Sequence, residues 1–349
     1  NNVPVELITN KVDSKMLRKV DSLLKVDSYY YFIKAINHYL LANNLHNAMF
    51  INDNCDGYEE YKINALKEDF SELVKLSGVT NETVIAKFAK EFINQMDSVI
   101  VFSEKEVSAN ASYELFNLNM ITGKLGKTAS GLIALKEKNN SQGLFDMGIE
   151  PNLGVGSTPI NNADYVELMK KGWGVDSLPT SISENIHTNL VDGSFKNLFV
   201  FGEDPMGTAK VKDEVVGWFD KADFVMVQDN FMTETAREAN LILPASMPIE
   251  SGGSFTNTQK AILEFDADFT SKVDTLSYEQ LTNIIEKLGV NSNSKLEDIR
   301  MEAISFLSLV KQDKLKFVNT NADNNNRLFD YGCDYIVKYF DDDFAEAFE

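Results

Sequence analysis

The sequence predicts an α/β protein with two α/β units built on mostly parallel sheets. Three observations predict it. Short apolar runs of strand length alternate with segments of helical spacing. The clearest strands end in polar turns, as parallel strands do at the ligand-binding edge of an open sheet. The length of 349 residues suits two globular units or one large α/β body.

In chain order, Val3 to Ile8 reads as a strand, Asp13 to Arg18 as a helix and Ser22 to Val26 as a second strand. Phe32, Ile33, Ile36, Tyr39 and Leu40 fall at helical spacing, and that helix ends near Asn43-Asn44. Thr80 precedes a helix whose Val84, Ile85, Phe88, Ala89, Phe92 and Ile93 share one face, and it is the expected cap. Strand Val99 to Phe102 comes next, and its loop, SEKEVSAN, has no glycine to bring backbone N–H groups close to a phosphate. From Thr122 to Gly156 the chain is rich in glycine and asparagine and reads as a long irregular segment, either a functional loop or a crossover between domains.

The second unit becomes readable near Ala163. Its expected elements are strand Asn197 to Phe201, loop Gly202 to Thr208, helix Val211 to Lys221, strand Asp223 to Val227, helix Thr233 to Glu238 and strand Leu241 to Leu243, a doubly wound order. A helix carrying Leu281, Ile284, Ile285 and Leu288 closes it. Beyond Asn291 the pattern weakens, and the tail runs through NTNADNNNR to DDDFAEAFE, read as solvated or as a contact arm. The expected division is a first α/β domain over 1–138, a second over 139–290, and a helical and acidic tail over 291–349.

The formal net charge of −20 argues against nucleic acid and disfavours anionic membrane surfaces as partners, because phosphates would be repelled. No apolar run approaches the roughly 20 residues needed to span a bilayer. The start lacks an initiator methionine and already reads as a strand entering a core, so the chain is expected to be a piece of a larger protein. Cys55 and Cys333 are far apart with no CxxC spacing, which argues against a cysteine-ligated iron–sulfur cluster or zinc site and fits a reducing compartment. His38, His46 and His187 lack metal-ligand spacing and read as structural or surface residues, so no metal ligand is assigned.

The chemistry is expected where two strands end. Strand Asn197 to Phe201 delivers Gly202, Glu203 and Asp204, and its neighbour delivers Gln228 and Asp229 to the same edge. A carboxylate can accept two parallel hydrogen bonds, which suits a ribose diol or the N1–H and amino edge of guanine, so Asp204 and Asp229 are nucleotide-reading candidates. Thr208, Thr233 and Thr235 sit near helix starts, where their hydroxyls either cap the helix or meet phosphate oxygens. The SGGSFTN run at Ser251 to Asn257 has glycines for a close backbone approach or simply for a tight turn. Neither GxGxxG nor GxxxxGK[ST] occurs.

Four segments carry a specific resemblance: NNSQGLFDMG at Asn139 to Gly148, GEDP at Gly202 to Pro205, QDNFMTETAREANLILPAS at Gln228 to Ser246, and GGSFTNTQ at Gly252 to Gln259. In this order and spacing the chain resembles the molybdopterin oxidoreductase family, which includes formate dehydrogenase alpha subunits and the related G subunit of NADH:quinone oxidoreductase (complex I). The resemblance implies two Rossmann-like domains of the formate dehydrogenase/DMSO reductase-type fold, without the N-terminal iron–sulfur and C-terminal domains. It implies a molybdopterin guanine dinucleotide with molybdenum or tungsten in the full-length protein, or a fold that has lost it, with iron–sulfur clusters only upstream.

By the same resemblance Asp204, Thr208, Gln228 and Asp229 read a guanosine arm in a guanine-dinucleotide crevice of the second domain, and Gly202, Glu203, Thr233 and Thr235 join them as cofactor-binding candidates by their place at the strand ends and helix starts. Asn139, Asn140, Gln142 and Gly143 would lie toward the pterin. Lys136 is the candidate catalytic residue, standing where the formate enzymes place an arginine; an ammonium is a point charge without the planar fork that holds a carboxylate. The reading preferred on sequence is the central pterin-type region of a G-like subunit of an NADH-linked, multi-subunit redox enzyme, cytoplasmic or peripheral to a membrane complex, with other subunits as partners. Its alternatives are a cofactor-loaded molybdenum or tungsten oxidoreductase such as a formate dehydrogenase alpha subunit, and a cofactor-free scaffold docking partner subunits.

Overall fold

A computed structural model describes residues 3–12, 17–136, 138–181, 186–290, 292, 295–309 and 314–323. These fall into two compact units. The first holds the described residues up to 141 together with 314–323, and the second holds those from 142 to 309.

In the first unit, strands β1 (Glu6–Thr9) and β2 (Ser22–Lys25) pair in parallel. Helix α1 (Tyr29–Ala42) comes next and is the core of the unit, because apolar residues surround most of it: Tyr30, Phe32, Ile33, Ala35, Ile36, Leu40 and Leu41 are all buried. A helix apolar on nearly every side must be enclosed by other elements. The chain encloses it with α2 (Ala48–Asn54), a two-residue strand β3 (Cys55–Asp56), α3 (Tyr58–Ala65), α4 (Phe70–Ser77), α5 (Glu82–Asn94) and α6 (Ala109–Thr122). Strands β4 (Val99–Ser103) and β5 (Gly131–Leu135) form a second parallel pair.

The cap of α5 is Asn81, not Thr80: the Asn81 Oδ1 accepts from the Thr83 N–H at 3.0 Å, satisfying a first-turn donor that the residue before it does not meet. The segment from 122 to 156 is also more ordered than its composition suggests, since it contains β5, a six-residue helix (Ser141–Asp146) and a two-residue strand (Leu153–Gly154). Most of the expected helix at Asp13 to Arg18 lies outside the described residues, as does the acidic end of the tail.

The second unit opens with α7 (Ser141–Asp146) and the short antiparallel pair β6 (Leu153–Gly154) and β7 (Thr158–Pro159). Helix α8 (Ala163–Trp173) packs over this turn, and the Tyr165 hydroxyl accepts from the Val155 N–H at 3.0 Å. That approach is possible because residue 154 is glycine: a Cβ there would stand 1.9 Å from the Tyr165 hydroxyl oxygen. After α9 (Ile186–Asp192) come β8 (Asn197–Phe201), α10 (Pro205–Thr208), α11 (Lys212–Asp220), β9 (Phe224–Asp229), α12 (Glu234–Arg237) and β10 (Leu241–Pro244).

The three strands form a parallel sheet in the order β10-β9-β8, with Phe201 opposite Gln228 and Pro244 opposite Asp229. Val225 and Val227 of the central strand pack with Val215, Trp218 and Phe219 of α11. The expected helix Thr233 to Glu238 is a four-residue turn. Next come α13 (Pro248–Ser251), the antiparallel pair β11 (Gly253–Thr256) and β12 (Ile262–Phe265), α14 (Ser277–Lys287) and α15 (Leu296–Leu309). The last of these, in a region that the sequence leaves unreadable, seats Phe306 against Gly172 and the Trp173 ring of α8.

Residues 314–323 belong to the first unit. Their strand β13 (Leu315–Lys316) pairs in parallel with β3.

Candidate functional site at the carboxyl edge of the second sheet

β8 and β9 run parallel, so their carboxyl ends meet at one edge, and the loops leaving them start side by side there. Gly202 leaves β8 in the left-handed region (φ 63°) with its N–H donated to the Gln228 carbonyl at 2.8 Å. That backbone favours glycine, and nothing lies within 4 Å of where a Cβ would stand, so this side of the turn is open. Gly202 and Glu203 are exposed.

Asp204 turns the other way and is fully buried. Its Oδ1 accepts from the Gly207 N–H (3.2 Å), the Thr235 N–H (2.9 Å) and the Thr235 hydroxyl (2.6 Å), capping α10 and gripping the start of α12. The Thr235 Oγ1 in turn accepts from the Met206 N–H at 3.0 Å. Asp204 and Thr235 therefore fasten the two loops to each other. Thr208, also buried, returns its hydroxyl to the Asp204 carbonyl at 2.8 Å, and Thr233 caps α12 by accepting from the Ala236 N–H at 3.1 Å. Of the three threonines, then, two serve the backbone of short helices and one serves Asp204.

Gln228 is buried, and its Nε2 donates to the Ser277 carbonyl (3.2 Å) and the Gln280 Oε1 (2.8 Å). Ser277 and Gln280 start α14; sequence reasoning missed them, although a serine opening an amphipathic helix was a usable signal. Asp229 is half-buried at the end of β9 and its Oδ1 accepts from the Phe231 N–H at 2.9 Å. Burial pushes its carboxyl above the ordinary range, the Phe231 and Asn230 N–H groups pull it down, and the Asp204 charge pushes it up again. A partly exposed carboxylate beside exposed Asn230 and Met232 is, with Glu203, an acceptor at this edge that a ligand can reach.

The remaining candidates divide between the units. Lys136 lies at the end of β5 in the first unit and is ion-paired with Glu104. Asn139, exposed, and Asn140, half-buried, come after it in the same unit. Gln142 opens the second unit and donates to the Asp146 Oδ1 at 2.9 Å along α7; Gly143 is buried in that helix. Among the described residues no group of three or more His, Cys, Asp or Glu side chains is placed to hold a metal ion, and no helix is long and apolar enough to cross a membrane.

Comparison with known proteins decides the family. The profile of the molybdopterin oxidoreductases matches residues 32–275, well over half of the chain. The chain belongs to the molybdopterin oxidoreductase family. Two relatives named "Putative formate dehydrogenase" are each 28% identical to it. The one from Staphylococcus haemolyticus aligns over 84% of this chain and 31% of its own length, and the one from Staphylococcus aureus over 90% and 34%. The chain thus spans about a third of the length of these relatives. Acetylene hydratase from Pelobacter acetylenicus shares the fold, with a TM-score of 0.59 at 15% identity over 87% of this chain and 47% of that one.

Membership of the family implies a molybdopterin cofactor in the full-length protein. The donor and acceptor chemistry of the sheet-edge residues suits a polar, hydrogen-bonding group. An open left-handed glycine turn, a reachable carboxylate and an exposed carboxylate at Glu203 stand where a parallel sheet binds ligands. The fit rests on Asp229 rather than Asp204, whose Oδ1 already serves three protein donors.

Proposed function

We propose that the full-length protein is a molybdenum- or tungsten-dependent oxidoreductase of the formate dehydrogenase kind, and that the second unit holds a guanine nucleotide arm of its cofactor. Asp229 carries the proposal. A guanine base presents N1–H and an exocyclic amino group side by side, and a carboxylate accepts both at once. Asp229 is the half-buried carboxylate at the carboxyl edge of the central strand, deep enough to be desolvated by a base lying over it. The names borne by the two staphylococcal relatives support formate as the substrate class. The bound metal would supply a two-electron redox couple. The work of this chain is to fix the nucleotide: Asp204 and Thr235 hold the loops, Gln228 braces the strand end against α14, and Asp229 reads the base.

The test is made on the full-length native protein. Stoichiometric molybdenum or tungsten, released guanine-bearing pterin and formate-dependent dye reduction are expected. Asp229→Asn, which puts an amino group where an acceptor is needed, is expected to lower retained pterin at least tenfold with the melting temperature unchanged. Full retention in that variant would remove Asp229 from the reading.

A second reading has one observation in its favour. Lys136 is held by Glu104, and a lysine already engaged by a carboxylate is poorly disposed to orient a second one from substrate. This favours a pterin-fold subunit of an NADH-linked complex, like the complex I G subunit, that passes electrons among partner subunits without turning over formate. Absence of pterin from the native protein, with its upstream iron–sulfur clusters intact, would select this second reading.

A further inference from the structure

The segment 314–323 is held in the first unit in the manner of a bound peptide. Side chains of the helices read its backbone. The Asn117 amide, fully buried, takes both main-chain groups of Val318: its Nδ2 donates to the carbonyl at 2.9 Å and its Oδ1 accepts from the N–H at 3.2 Å. The Lys34 ammonium donates to the Thr320 carbonyl at 3.0 Å, and the Asn110 amide donates to the Ala322 carbonyl.

Three side chains of the segment add specificity at every third position. Phe317, 4% exposed, stacks on Tyr61 with ring centroids 5.2 Å apart and lies 5.5 Å from Tyr58. The Thr320 hydroxyl sits between the Tyr30 hydroxyl (3.0 Å) and the buried Glu114 carboxylate. The Asp323 carboxylate accepts from Ser108 at 2.7 Å and Ser28 at 2.9 Å, the two serines that cap α6 and α1, so one anion faces two helix N-termini.

The groove has partners of its own without the segment. Glu114 also accepts from Tyr61 (2.6 Å) and Asn37 (2.8 Å), and Lys34 is paired with Glu68 at 2.5 Å. Glu114 keeps two hydrogen-bond donors and Lys34 keeps its ion pair if the segment leaves, while the Asn117 amide gives up its two bonds to Val318. Among the described residues, the segment's sheet pairing is confined to the two-residue β13, extended by one bond from the Phe317 N–H to the Asp56 carbonyl at 3.0 Å. A site whose ionisable groups have partners of their own, and a segment held by one aromatic anchor set in the core and a row of side-chain bonds to its backbone, have the form of peptide recognition.

We propose that residues 314–323 are a reversible clasp, a peptide ligand carried in the same chain, and that the groove formed by α1, α3 and α6 recognises an extended peptide with an aromatic residue, a hydroxyl residue three positions on and a carboxylate three further. This goes beyond the redox reading and does not depend on it. The clasp comes after the second unit in the chain, so the first unit closes only once the second has been made.

The test uses the complete chain and a fluorescent synthetic peptide spanning residues 312–325. In the unaltered chain the tethered clasp competes at an effective concentration on the order of millimolar, so the free peptide binds poorly. In the Phe317→Ala/Thr320→Val chain the peptide is expected to bind at least 100-fold more tightly than in the unaltered chain. Adding Asn117→Ala to that chain is expected to weaken binding at least tenfold. A cooperatively folded double variant that ignores the peptide, or that binds a scrambled peptide equally well, overturns the proposal. Hydrogen exchange on the unaltered chain decides the matter independently of any variant's folding. The Phe317 and Val318 amides are expected to exchange at least tenfold faster than those of Ile36 and Leu40 in α1, and equal rates would mean that the segment is an inseparable part of the core.

Discussion

Replacing Asp204 by alanine withdraws one acceptor from three donors at once. Two of them, the Thr235 N–H and hydroxyl, are buried, and the third, the Gly207 N–H, is the free donor of a short helix. Hydrogen bonds to a charged acceptor contribute about 1.5–3 kcal/mol each, and a lost cap costs about 1 kcal/mol. With one strong bond to the buried threonine counted at the low end for each of its donors, Asp204→Ala is expected to destabilise the second unit by ~4 kcal/mol. That is a large share of the roughly 5–15 kcal/mol that holds a domain. Asp204→Asn keeps an acceptor oxygen in place and is expected to lose only ~1–2 kcal/mol.

Urea unfolding tracked by tryptophan fluorescence isolates the effect, because both tryptophans of the chain, Trp173 and Trp218, lie in the second unit. With a slope of ~2 kcal/mol per molar urea, the alanine variant is expected to shift the midpoint down by ~2 M and the asparagine variant by less than ~1 M. Equal stability of all three proteins would refute the structural role and return Asp204 to the set of ligand-reading carboxylates.

Two further outcomes are expected. Gly154→Ala would drive a methyl group into the Tyr165 hydroxyl, 1.9 Å away, and Gly148→Ala would add a Cβ 2.7 Å from the Gly154 backbone at a left-handed φ of 76°. Each should cost ~2 kcal/mol or more by the same urea assay, and Tyr165→Phe should leave the Gly154 defect in place, since the ring carbon Cζ still stands 2.3 Å from the added Cβ. Burial holds the His38 imidazole below its ordinary pKa, and burial together with the Lys62 cation does the same for His46. The unfolded chain then binds protons that the folded chain does not, so the stability due to these neutral rings is full above pH 6.5 and falls as pH drops toward the folded values. Midpoints measured at pH 5.5 and 7.5 should differ in that direction, with a smaller difference in a His38→Gln/His46→Gln chain.

What the sequence made legible is the part of the fold that short-range pattern encodes. α1 and α5 announce themselves by apolar spacing, and β8, β9 and β10 by short apolar runs ending in polar turns. Helices α2 to α4 escape because they are only 7 or 8 residues long, too short for helical spacing to repeat, and β5 because its five residues come after a glycine-rich turn. Thr80 and Asn81 are neighbouring residues with equal capping chemistry, and only the backbone decides between them. The clasp is out of reach of any local reading: Ser108 and Asp323 are 215 residues apart, and nothing in NTNAD by itself names its partners.

The two aspartates at the sheet edge show why residue type does not give residue role. Asp204 and Asp229 lie at the ends of adjacent parallel strands and carry the same group, and on sequence both suit a guanine base. The difference lies in the residues that come after each of them. After Asp204, Pro205 starts a helical turn at once, so the carboxylate folds back onto N–H groups of its own turn and those of α12, which excludes water and fixes the loops. After Asp229 the chain passes through exposed Asn230 before α12 begins, so only the Phe231 and Asn230 N–H groups reach the carboxylate and half of it stays open. The buried carboxylate makes the edge rigid, and rigidity is what allows the open one to discriminate a base, since a reader that moves with its ligand cannot hold two donors in register. Asp204→Ala should therefore weaken guanine retention through the loops, and Asp229→Asn should weaken it with the loops intact.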